Sequence, residues 1–414
     1  MGATLRTASN ATSRSRADGN GPSGRWSAPL FETDDTMPCQ ILDIPLAHSA
    51  PGSQSSVRML RYGPAAARPK AHIQAAVHAD EAPGLLVAHH LIEFLDAADA
   101  RGEITGQIVI VPYANPLGLA QFVNGDHLGR FELASGRNFN RGWPALGKAL
   151  EQRIGAQLGN DPEANRSLIR RAISDVLGEI TSSTKIDALY LALAREAFDS
   201  DLVLDLHCDD EGLMHMFARP EIAGELSDVA AEIGCRAVFS QPASGGSTFA
   251  EASAEPWLHL AAAFPEKQIP IGCLSATVEL RGFVDIDDRL ACSDAAGLVN
   301  SLRRRGYLAG LASPVPAPLC DITGFDACDI VRTPDFGVIV YRVELGDEVE
   351  SGQPIADIVR PGVVGNEARV TVRSRAKGTV ITRRLKKLVA ANQVIAKIAG
   401  SAALAHRSGY LLED

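Results

Sequence analysis

Short apolar runs alternate with longer helical patterns from about residue 40 to residue 310, and this alternation limits the possible folds most strongly. It is typical of a mixed, largely parallel sheet with helices on both faces, the α/β class. The candidate strands are residues 57–62, 71–77, 107–113, 202–206, 213–217, 236–240 and 274–280, and the candidate helices are residues 84–98, 145–157, 163–197 with a break, 221–233, 247–263 and 287–310.

The texture of the sequence changes on both sides of this α/β region, which we assign to residues 37–315. Residues 1–36 are rich in Ser, Arg, Gly, Asn and Thr, and their few apolar residues predict a disordered tail. A proline-rich linker at Pro314, Pro316 and Pro318 precedes a second region, residues 325–414, in which short β-rich runs alternate with glycine turns. Two domains and a tail fit the size of the chain, and the second domain is predicted to be a small all-β sandwich or barrel.

The C-terminal domain resembles a lipoyl/biotinyl carrier domain. Such carriers bear a modifiable lysine at the hairpin between their two halves, whereas the corresponding stretch here, Arg360 to Ala368, contains no lysine. We therefore expect a structural or shielding domain. Its basic cluster is expected to be a solvated face, with an oligomer contact or an anion-attracting rim as alternatives; the cluster comprises Arg373, Arg375, Lys377, Arg383, Arg384, Lys386 and Lys387.

Composition excludes several classes of function. The net charge of −10 and the isoelectric point near 5.5 argue against nucleic-acid binding through an overall basic field. No run reaches the roughly 18 apolar residues of a membrane helix, and the N-terminus lacks a secretory signal. The seven cysteines include no C-x-x-C pair, which favours reduced thiols. We expect a cytoplasmic protein without membrane or nucleic-acid partners and with homo-oligomerisation possible.

His78 and Glu81 are the first candidate site residues. They follow the apolar run at residues 73–77 in H-x-x-E spacing. An imidazole and a carboxylate three residues apart, just past the end of a strand, can reach one cation together, and nitrogen and oxygen ligands suit Zn²⁺. By itself the pair also fits polar residues at the start of a helix.

His207 follows the apolar residues 202–206 and so repeats the placement of His78 at the carboxyl end of a strand. Ligands bind at this edge of open α/β sheets, which predicts that the two histidines converge. Three protein ligands leave one coordination position open, as in catalytic zinc sites. Asp205 is a possible partner that orients His207, while a satisfied core histidine is the structural alternative.

Glu279 interrupts the apolar strand at residues 274–280 near its end. A buried carboxylate needs a cation or a role in proton transfer, and beside a zinc-bound water it could pass the water's proton to a leaving amine. Pairing with Arg281 is the alternative.

The polar stretch from Gly136 to Trp143 contains Asn140 and Arg141, which could hold a substrate carboxylate through an amide and a planar guanidinium. A simple turn is the alternative. Asn115, at the end of another strand, is expected to form a turn that supports the site.

In this order along the chain, VHADEAPG, VPYANPLG, GRNFNR, DLHCDDEG and TVELRG resemble the succinylglutamate desuccinylase/aspartoacylase family, which belongs to the zinc carboxypeptidase superfamily. The resemblance covers about residues 55–310 and implies a zinc carboxypeptidase-like fold with one zinc ion per chain. It further implies that His78, Glu81 and His207 are the metal ligands and that Glu279 is the catalytic general base.

The same resemblance implies that Asn140 and Arg141 bind the substrate carboxylate. The family also has an arginine that polarises the substrate carbonyl and precedes this pair. Both Arg130 and Arg137 are candidates for that catalytic position, because an insertion separates them.

The sequence departs from the pattern of the superfamily at one point that concerns the choice of substrate. No tyrosine lies between His207 and Glu279, where the peptidase branch of the superfamily carries a tyrosine that caps the substrate. We therefore expect a zinc-dependent amidohydrolase that deacylates a small N-acyl amino acid or related N-acylated amine bearing a carboxylate. A zinc carboxypeptidase and a non-catalytic binding protein are the alternatives. The acidic residues Asp209, Asp210 and Glu211 could favour a basic substrate or form a solvated loop.

Overall fold

A nine-stranded sheet forms the frame of the larger part of the protein. The computed structural model describes residues 39–242 and 246–407, so the tail predicted over residues 1–36 lies outside the described residues. The strands of this part are β1 (Gln40–Pro45), β2 (Ser56–Tyr62), β3 (Lys70–Ala75), β4 (Gln107–Val111), β5 (Phe122–Val123), β6 (Asp126–His127), β7 (Leu202–Asp209), β8 (Glu211–Gly212), β9 (His215–Ala218), β10 (Ala237–Ser240), β11 (Leu274–Gly282) and β12 (Ile322–Gly324).

The order of the strands in this sheet is β1-β2-β4-β3-β7-β11-β9-β10-β12. The central pairs β4-β3, β3-β7 and β7-β11 are parallel, as are β9-β10 and β10-β12, whereas β1-β2, β2-β4 and β9-β11 are antiparallel. The predicted mixed, largely parallel sheet is confirmed, and each predicted strand occurs within a few residues of its expected bounds. Strand β12 extends the sheet past residue 315, the predicted end of this domain.

Helices cover both faces of the sheet. The break predicted within residues 163–197 separates two helices, and Thr184 begins the second with a capping box closed by Asp187. Among the described residues, no helix has the length and hydropathy needed to cross a membrane. The helices are α1 (Pro83–Ala100), α2 (Pro116–Leu119), α3 (Gly147–Ile154), α4 (Pro162–Glu179), α5 (Lys185–Ala197), α6 (Pro220–Ala223), α7 (Ser227–Glu232), α8 (Phe249–Ala263) and α9 (Asp288–Arg304).

Two hydrophobic cores lie on opposite faces of the sheet. Alternate residues of a strand point to opposite faces, so in β4 Ile108 joins the core beneath α1 and α9, while Val109 joins the core beneath α3, α4, α5 and α8. In β7, Leu204 belongs to the first core, and Asp205 and His207 point to the second face. The polar residues at the end of β7 therefore share the face covered by α3–α5 and α8.

The C-terminal domain is a sandwich of two antiparallel sheets around its own apolar core, as the alternation of β-rich runs and turns predicted. One sheet contains β13, β20, β18 and β15 in that order, and the other contains β17, β16, β14 and β19. The strands are β13 (Cys328–Arg332), β14 (Gly337–Tyr341), β15 (Glu348–Val349), β16 (Pro354–Val359), β17 (Arg369–Arg373), β18 (Gly378–Arg383), β19 (Leu388–Val389) and β20 (Val394–Gly400).

A short strand joins the two domains into one compact unit. Strand β8 lies just after β7 and pairs in antiparallel fashion with β18 of the sandwich, with Gly212 opposite Thr382. The backbone amide of Leu213 also donates a hydrogen bond to the carbonyl of Ile381 at 2.9 Å. The segment that follows His207 is therefore fixed to the C-terminal domain by main-chain hydrogen bonds.

Candidate active site

His78, Glu81 and His207 converge on one point. One ligand atom from each lies within 4.8 Å of the other two, and all three side chains are buried. His78 follows the end of β3, Glu81 is three residues further on, before α1, and His207 is near the carboxyl end of the neighbouring strand β7. The predicted convergence of the strand ends is thus present in the structure.

Glu81 lies between the two imidazoles. Its Oε1 is 2.8 Å from His78 Nδ1, and its Oε2 is 2.7 Å from His207 Nδ1. Oε2 also accepts a hydrogen bond from the backbone amide of Cys208 at 3.1 Å. Burial alone would raise the pKa of Glu81, but His207 and His78 hold it well below its ordinary value. The carboxylate is therefore ionised and faces both imidazoles.

The outer nitrogen of His78 is fixed by Asn138, whose Oδ1 is 2.9 Å from His78 Nε2. Burial, together with the charge of Arg130, lowers the pKa of His78 to about 4. A neutral imidazole that donates from Nε2 keeps its Nδ1 lone pair directed toward Glu81. This is the tautomer that a metal ligand requires.

The outer nitrogen of His207 is fixed by Asp205, whose Oδ2 is 2.9 Å from His207 Nε2. The other oxygen of Asp205 accepts a hydrogen bond from Gln74 at 3.0 Å, so the carboxylate is itself held in place. Burial would lower the pKa of His207, but Asp205 and Glu81 raise it well above the ordinary value. The pocket between these two carboxylates thus favours a positive charge.

These donors fit a divalent cation. Two inward Nδ1 atoms and a carboxylate surround one point, and each imidazole has an oxygen acceptor at its outer nitrogen, as metal-binding histidines usually do. The set contains nitrogen and oxygen but no sulfur, and the neighbouring Cys208 contacts Glu81 through its backbone amide. Zn²⁺ accepts such a set in tetrahedral geometry with one position left for a substrate or water.

Glu279 is the neighbour of His207 across the sheet, because the two residues are in register between β11 and β7. Its Oε2 is buried and has no hydrogen-bond partner among the described residues. Burial raises the pKa of Glu279 to about 7. Arg281, the alternative partner considered from the sequence, forms an ion pair with Asp294 instead. Glu279 thus remains a carboxyl group without a fixed partner beside the cluster.

Of the two candidate arginines, the structure brings Arg130 to the cluster. Arg130 Nη1 lies 3.2 Å from Glu81 Oε1 and 3.1 Å from His78 Nδ1. Arg137 instead forms an ion pair with Asp187 at 2.7 Å and does not line the cavity that contains the cluster. The catalytic assignment of Arg137 therefore does not fit its position, since its guanidinium is directed toward the start of α5.

Asn140 and Arg141 both border the cavity. The amide oxygen of Asn140 already accepts hydrogen bonds from Trp143 Nε1 at 2.9 Å and from the backbone amide of Phe249 at 2.8 Å. Its amide nitrogen lies 3.3 Å from Asp205 Oδ2. The amide of Asn140 is thus used to hold the protein around His207, and the guanidinium of Arg141 is the charged group of this pair.

Two features of the loop around the site were not predicted. The first is the role of Asn138, which orients His78 and also accepts a hydrogen bond from the backbone amide of Asn140 at 2.8 Å. Gly129 lies so close to the turn after β3 that a Cβ atom at this position would be 2.2 Å from the backbone nitrogen of Asp80. The turn predicted at Asn115 is present, and its amide holds the carbonyl of Val77 at 2.9 Å.

The site opens into a cavity of about 950 Å³. His78, Glu81, Arg130, His207 and Glu279 line it on the side of the larger domain. The sandwich also lines the cavity, with residues that include Arg332, Thr382, Arg383, Arg384, Gln393 and Lys397.

Two of the acidic residues after His207 form ion pairs with the C-terminal domain. Glu211 pairs with Arg383 at 3.1 Å and with Lys387 at 2.7 Å. Asp209 pairs with Lys397. The interpretation as a solvated loop is therefore wrong for Asp209 and Glu211, while a preference for a basic substrate stays a prediction. Arg383 and Lys387 of the basic cluster form a contact between domains rather than a solvated face.

Residues 67–263 match the family model described as the succinylglutamate desuccinylase/aspartoacylase catalytic domain. No curated protein sequence matches the chain. Solved structures of similar fold include the following three. A succinylglutamate desuccinylase/aspartoacylase family protein of Shewanella amazonensis SB2B is 24% identical with a TM-score of 0.76, over 87% of this chain and 98% of the other.

The second, a succinylglutamate desuccinylase/aspartoacylase of Shewanella frigidimarina NCIMB 400, is 23% identical with a TM-score of 0.75, over 88% of this chain and 97% of the other. The third, the ectoine utilization protein EutE (DoeB) of Ruegeria pomeroyi, is 19% identical with a TM-score of 0.58, over 87% and 95%. Residues 67–263, which contain His78, Glu81 and His207, thus match the catalytic domain of the succinylglutamate desuccinylase/aspartoacylase family.

Proposed function

We propose that this protein is a zinc-dependent amidohydrolase that removes the acyl group from an N-acyl amino acid or a related N-acylated amine. One observation carries the proposal. The three candidate ligands His78, Glu81 and His207, the cation Arg130 and the unpartnered carboxyl group of Glu279 all line a single cavity. Hydrolysis of an amide needs these components: a cation site, a positive group for the carbonyl oxygen and a group that moves a proton.

Zinc held by His78, Glu81 and His207 would act as a Lewis acid toward the amide carbonyl and the attacking water. Glu279 accepts the proton that the water loses as its oxygen bonds to the carbonyl carbon. When the carbon–nitrogen bond breaks, Glu279 returns this proton to the departing amine, so that a carboxylic acid and an amine are formed. Its unpartnered, buried oxygen suits both steps.

Arg130 is the group we assign to the carbonyl oxygen. Its guanidinium lies beside the ligand cluster and is partly exposed to the cavity, so it can donate hydrogen bonds to an oxygen on which negative charge develops. Arg141 is assigned to a carboxylate of the substrate, through the planar geometry that suits this group. Asn140 contributes by holding the loop and His207 in place.

The expected substrate is a small molecule with a carboxylate, and the expected compartment is the cytoplasm. The described part of the cavity wall contains no tyrosine, which favours a deacylase over a carboxypeptidase that caps its substrate with this residue. Parallel assays with short peptides and with N-acyl amino acids separate the two activities, and cell fractionation tests the compartment.

The test is metal analysis of the purified protein followed by a screen of N-acetyl and N-succinyl amino acids for released amine. We expect one zinc ion per chain and amine release from at least one substrate. Glu279→Gln should retain zinc and lose about 10²–10⁴-fold in kcat, whereas the exposed Glu266→Gln serves as a matched control with wild-type turnover. Wild-type kcat in zinc-loaded Glu279→Gln would show that Glu279 is not the base.

A further inference from the structure

Lys397 is a cation that the C-terminal domain inserts beside the active site. It lies in β20 and forms an ion pair with Asp209, the last residue of β7. The Lys397 and Asp209 side chains are only 18% and 17% exposed, and both residues line the cavity. Each domain thus contributes one partner to this pair.

The pair lies next to Glu279. Asp209 is two residues past His207 on the same strand and therefore on the same face of the sheet, and Glu279 is in register with His207 on β11. Burial would lower the pKa of Lys397, but the charges of Asp209 and Glu279 raise it. Near this pair are also His215, whose Nε2 is 3.8 Å from Asp209 Oδ2, and the ring of Phe217 at 6.0 Å from Lys397 Nζ. Lys397 is therefore the cation that faces both carboxylates.

We propose that Lys397 is a positioning residue of the active site, through which the C-terminal domain supplies the positive charge that balances Asp209 beside Glu279. This inference rests on the proposed deacylase function for its consequence on turnover. It gives the sandwich an electrostatic role in catalysis in addition to forming a wall of the cavity.

Two opposite effects follow if the charge of Lys397 is removed. The site becomes more negative by one unit, and this added charge strengthens the binding of a cation to His78, Glu81 and His207. The same charge opposes the negative charge that develops on the substrate oxygen during the reaction, so turnover falls. A merely structural role for Lys397 would weaken zinc binding and turnover together.

The experiment uses the full-length protein and compares Lys397→Met, Asp209→Asn and the double variant. We expect Lys397→Met to bind zinc about 2- to 10-fold more tightly and to lose about 10-fold or more in kcat with little change in KM. Asp209→Asn should bind zinc more weakly than the wild type. The double variant, in which the pair is neutral, should return toward wild type in both measurements.

Lys377→Met is the matched control. Lys377 also lies in the C-terminal domain and forms an ion pair with Glu350 at 2.7 Å, but the side chains of both residues are exposed. It should leave zinc affinity and kcat unchanged. If zinc affinity and kcat of Lys397→Met both stay at wild-type values, or both fall, the inference is wrong. If Lys397→Met does not fold, unchanged zinc affinity in Asp209→Asn overturns it.

A failure of the proposed function gives a different result. If the zinc-loaded wild type releases no amine from any substrate, the deacylase assignment fails. The order of zinc affinities, highest in Lys397→Met and lowest in Asp209→Asn, still tests the electrostatic role, and a flat or reversed order contradicts it.

Discussion

The candidate metal centre depends on which ring nitrogen each histidine turns inward. Both His78 and His207 direct Nδ1 toward Glu81, because Asn138 and Asp205 provide oxygen acceptors at the two Nε2 atoms. These acceptors fix the ring orientation of both histidines, and for the neutral His78 also the tautomer, before any cation binds. A small change at an acceptor should therefore alter the affinity of the site without removing a ligand.

Asn138→Ala removes the acceptor of His78 and should lower zinc affinity by about 10- to 100-fold, since loss of such an outer partner frees the imidazole. Asn138→Asp keeps an oxygen at this position and should retain most of the affinity. Competition with a chromophoric chelator measures both variants. Equal zinc affinity in Asn138→Ala and the wild type would show that Asn138 does not orient His78.

Arg130 and Arg137 form a natural pair of test and control. Arg130→Met should reduce kcat by about 10²–10³-fold, because it removes a hydrogen-bond donor to the developing oxyanion. Arg137→Met should leave kcat within a few-fold of wild type and affect mainly stability, since it loses the ion pair with Asp187 and the contact with the Tyr190 ring, both away from the cavity. Steady-state kinetics on one N-acylated substrate decides between them, and the opposite pattern would reassign the role to Arg137.

The sequence predicted the convergence of His78, Glu81 and His207, because residues just past the ends of neighbouring parallel strands meet at one edge of a sheet. It could not separate Arg130 from Arg137, since the path of the insertion between them is set by tertiary contacts. Nor did it single out Asn138, because only the backbone conformation of the loop decides which of the two asparagines faces His78.

At the scale of elements, hydrophobic periodicity located the strands and helices of the larger domain well. Strands β1, β5, β6, β8 and β12 were not predicted, and for two of them the physical reason is clear. Strands β8 and β12 have only two and three residues, too few to show a period, and each owes its conformation to a partner strand distant in the sequence. Short strands of this kind are set by long-range pairing rather than by local propensity.

The close approach of Gly129 to the turn after β3 gives a test at this scale. Gly129→Ala should displace the loop that carries Arg130 and lower kcat, because the added Cβ would meet backbone atoms of Ala79 and Asp80. Gly178→Ala, in helix α4, has open space around the new Cβ and should stabilise the protein by about 0.5–1 kcal/mol. Kinetics and thermal denaturation compare the two, and full activity in Gly129→Ala would contradict the tight fit.

For the whole molecule, the main finding is that acidic residues after His207 form ion pairs with basic residues of the sandwich. The sequence does not predict this pairing, because nothing local connects residues 209–211 with residues 383–397. Docking of the two domains pairs them through Glu211 with Arg383 and Lys387 and through Asp209 with Lys397. The domain boundary is thus part of the site.

Glu211→Gln tests this docking. It leaves Arg383 and Lys387 without their shared carboxylate partner and should lower the free energy of unfolding by about 1–3 kcal/mol. The linker at residues 310–321 should also become more sensitive to proteases. Glu350→Gln removes an exposed ion pair within the C-terminal domain and should change neither quantity measurably, as expected for surface pairs. Identical free energies of unfolding in the two variants would show that the ion pairs of Glu211 between the two domains contribute little to stability.

His78, Glu81 and His207 are proposed to form a zinc site of nitrogen and oxygen ligands. X-ray absorption at the zinc edge of full-length protein loaded with one equivalent of zinc tests it most directly. We expect a spectrum with two imidazole ligands and light oxygen ligands, and with no sulfur. This spectrum should be lost in His207→Ala. Sulfur in the first coordination shell, or an unchanged spectrum in His207→Ala, would contradict it.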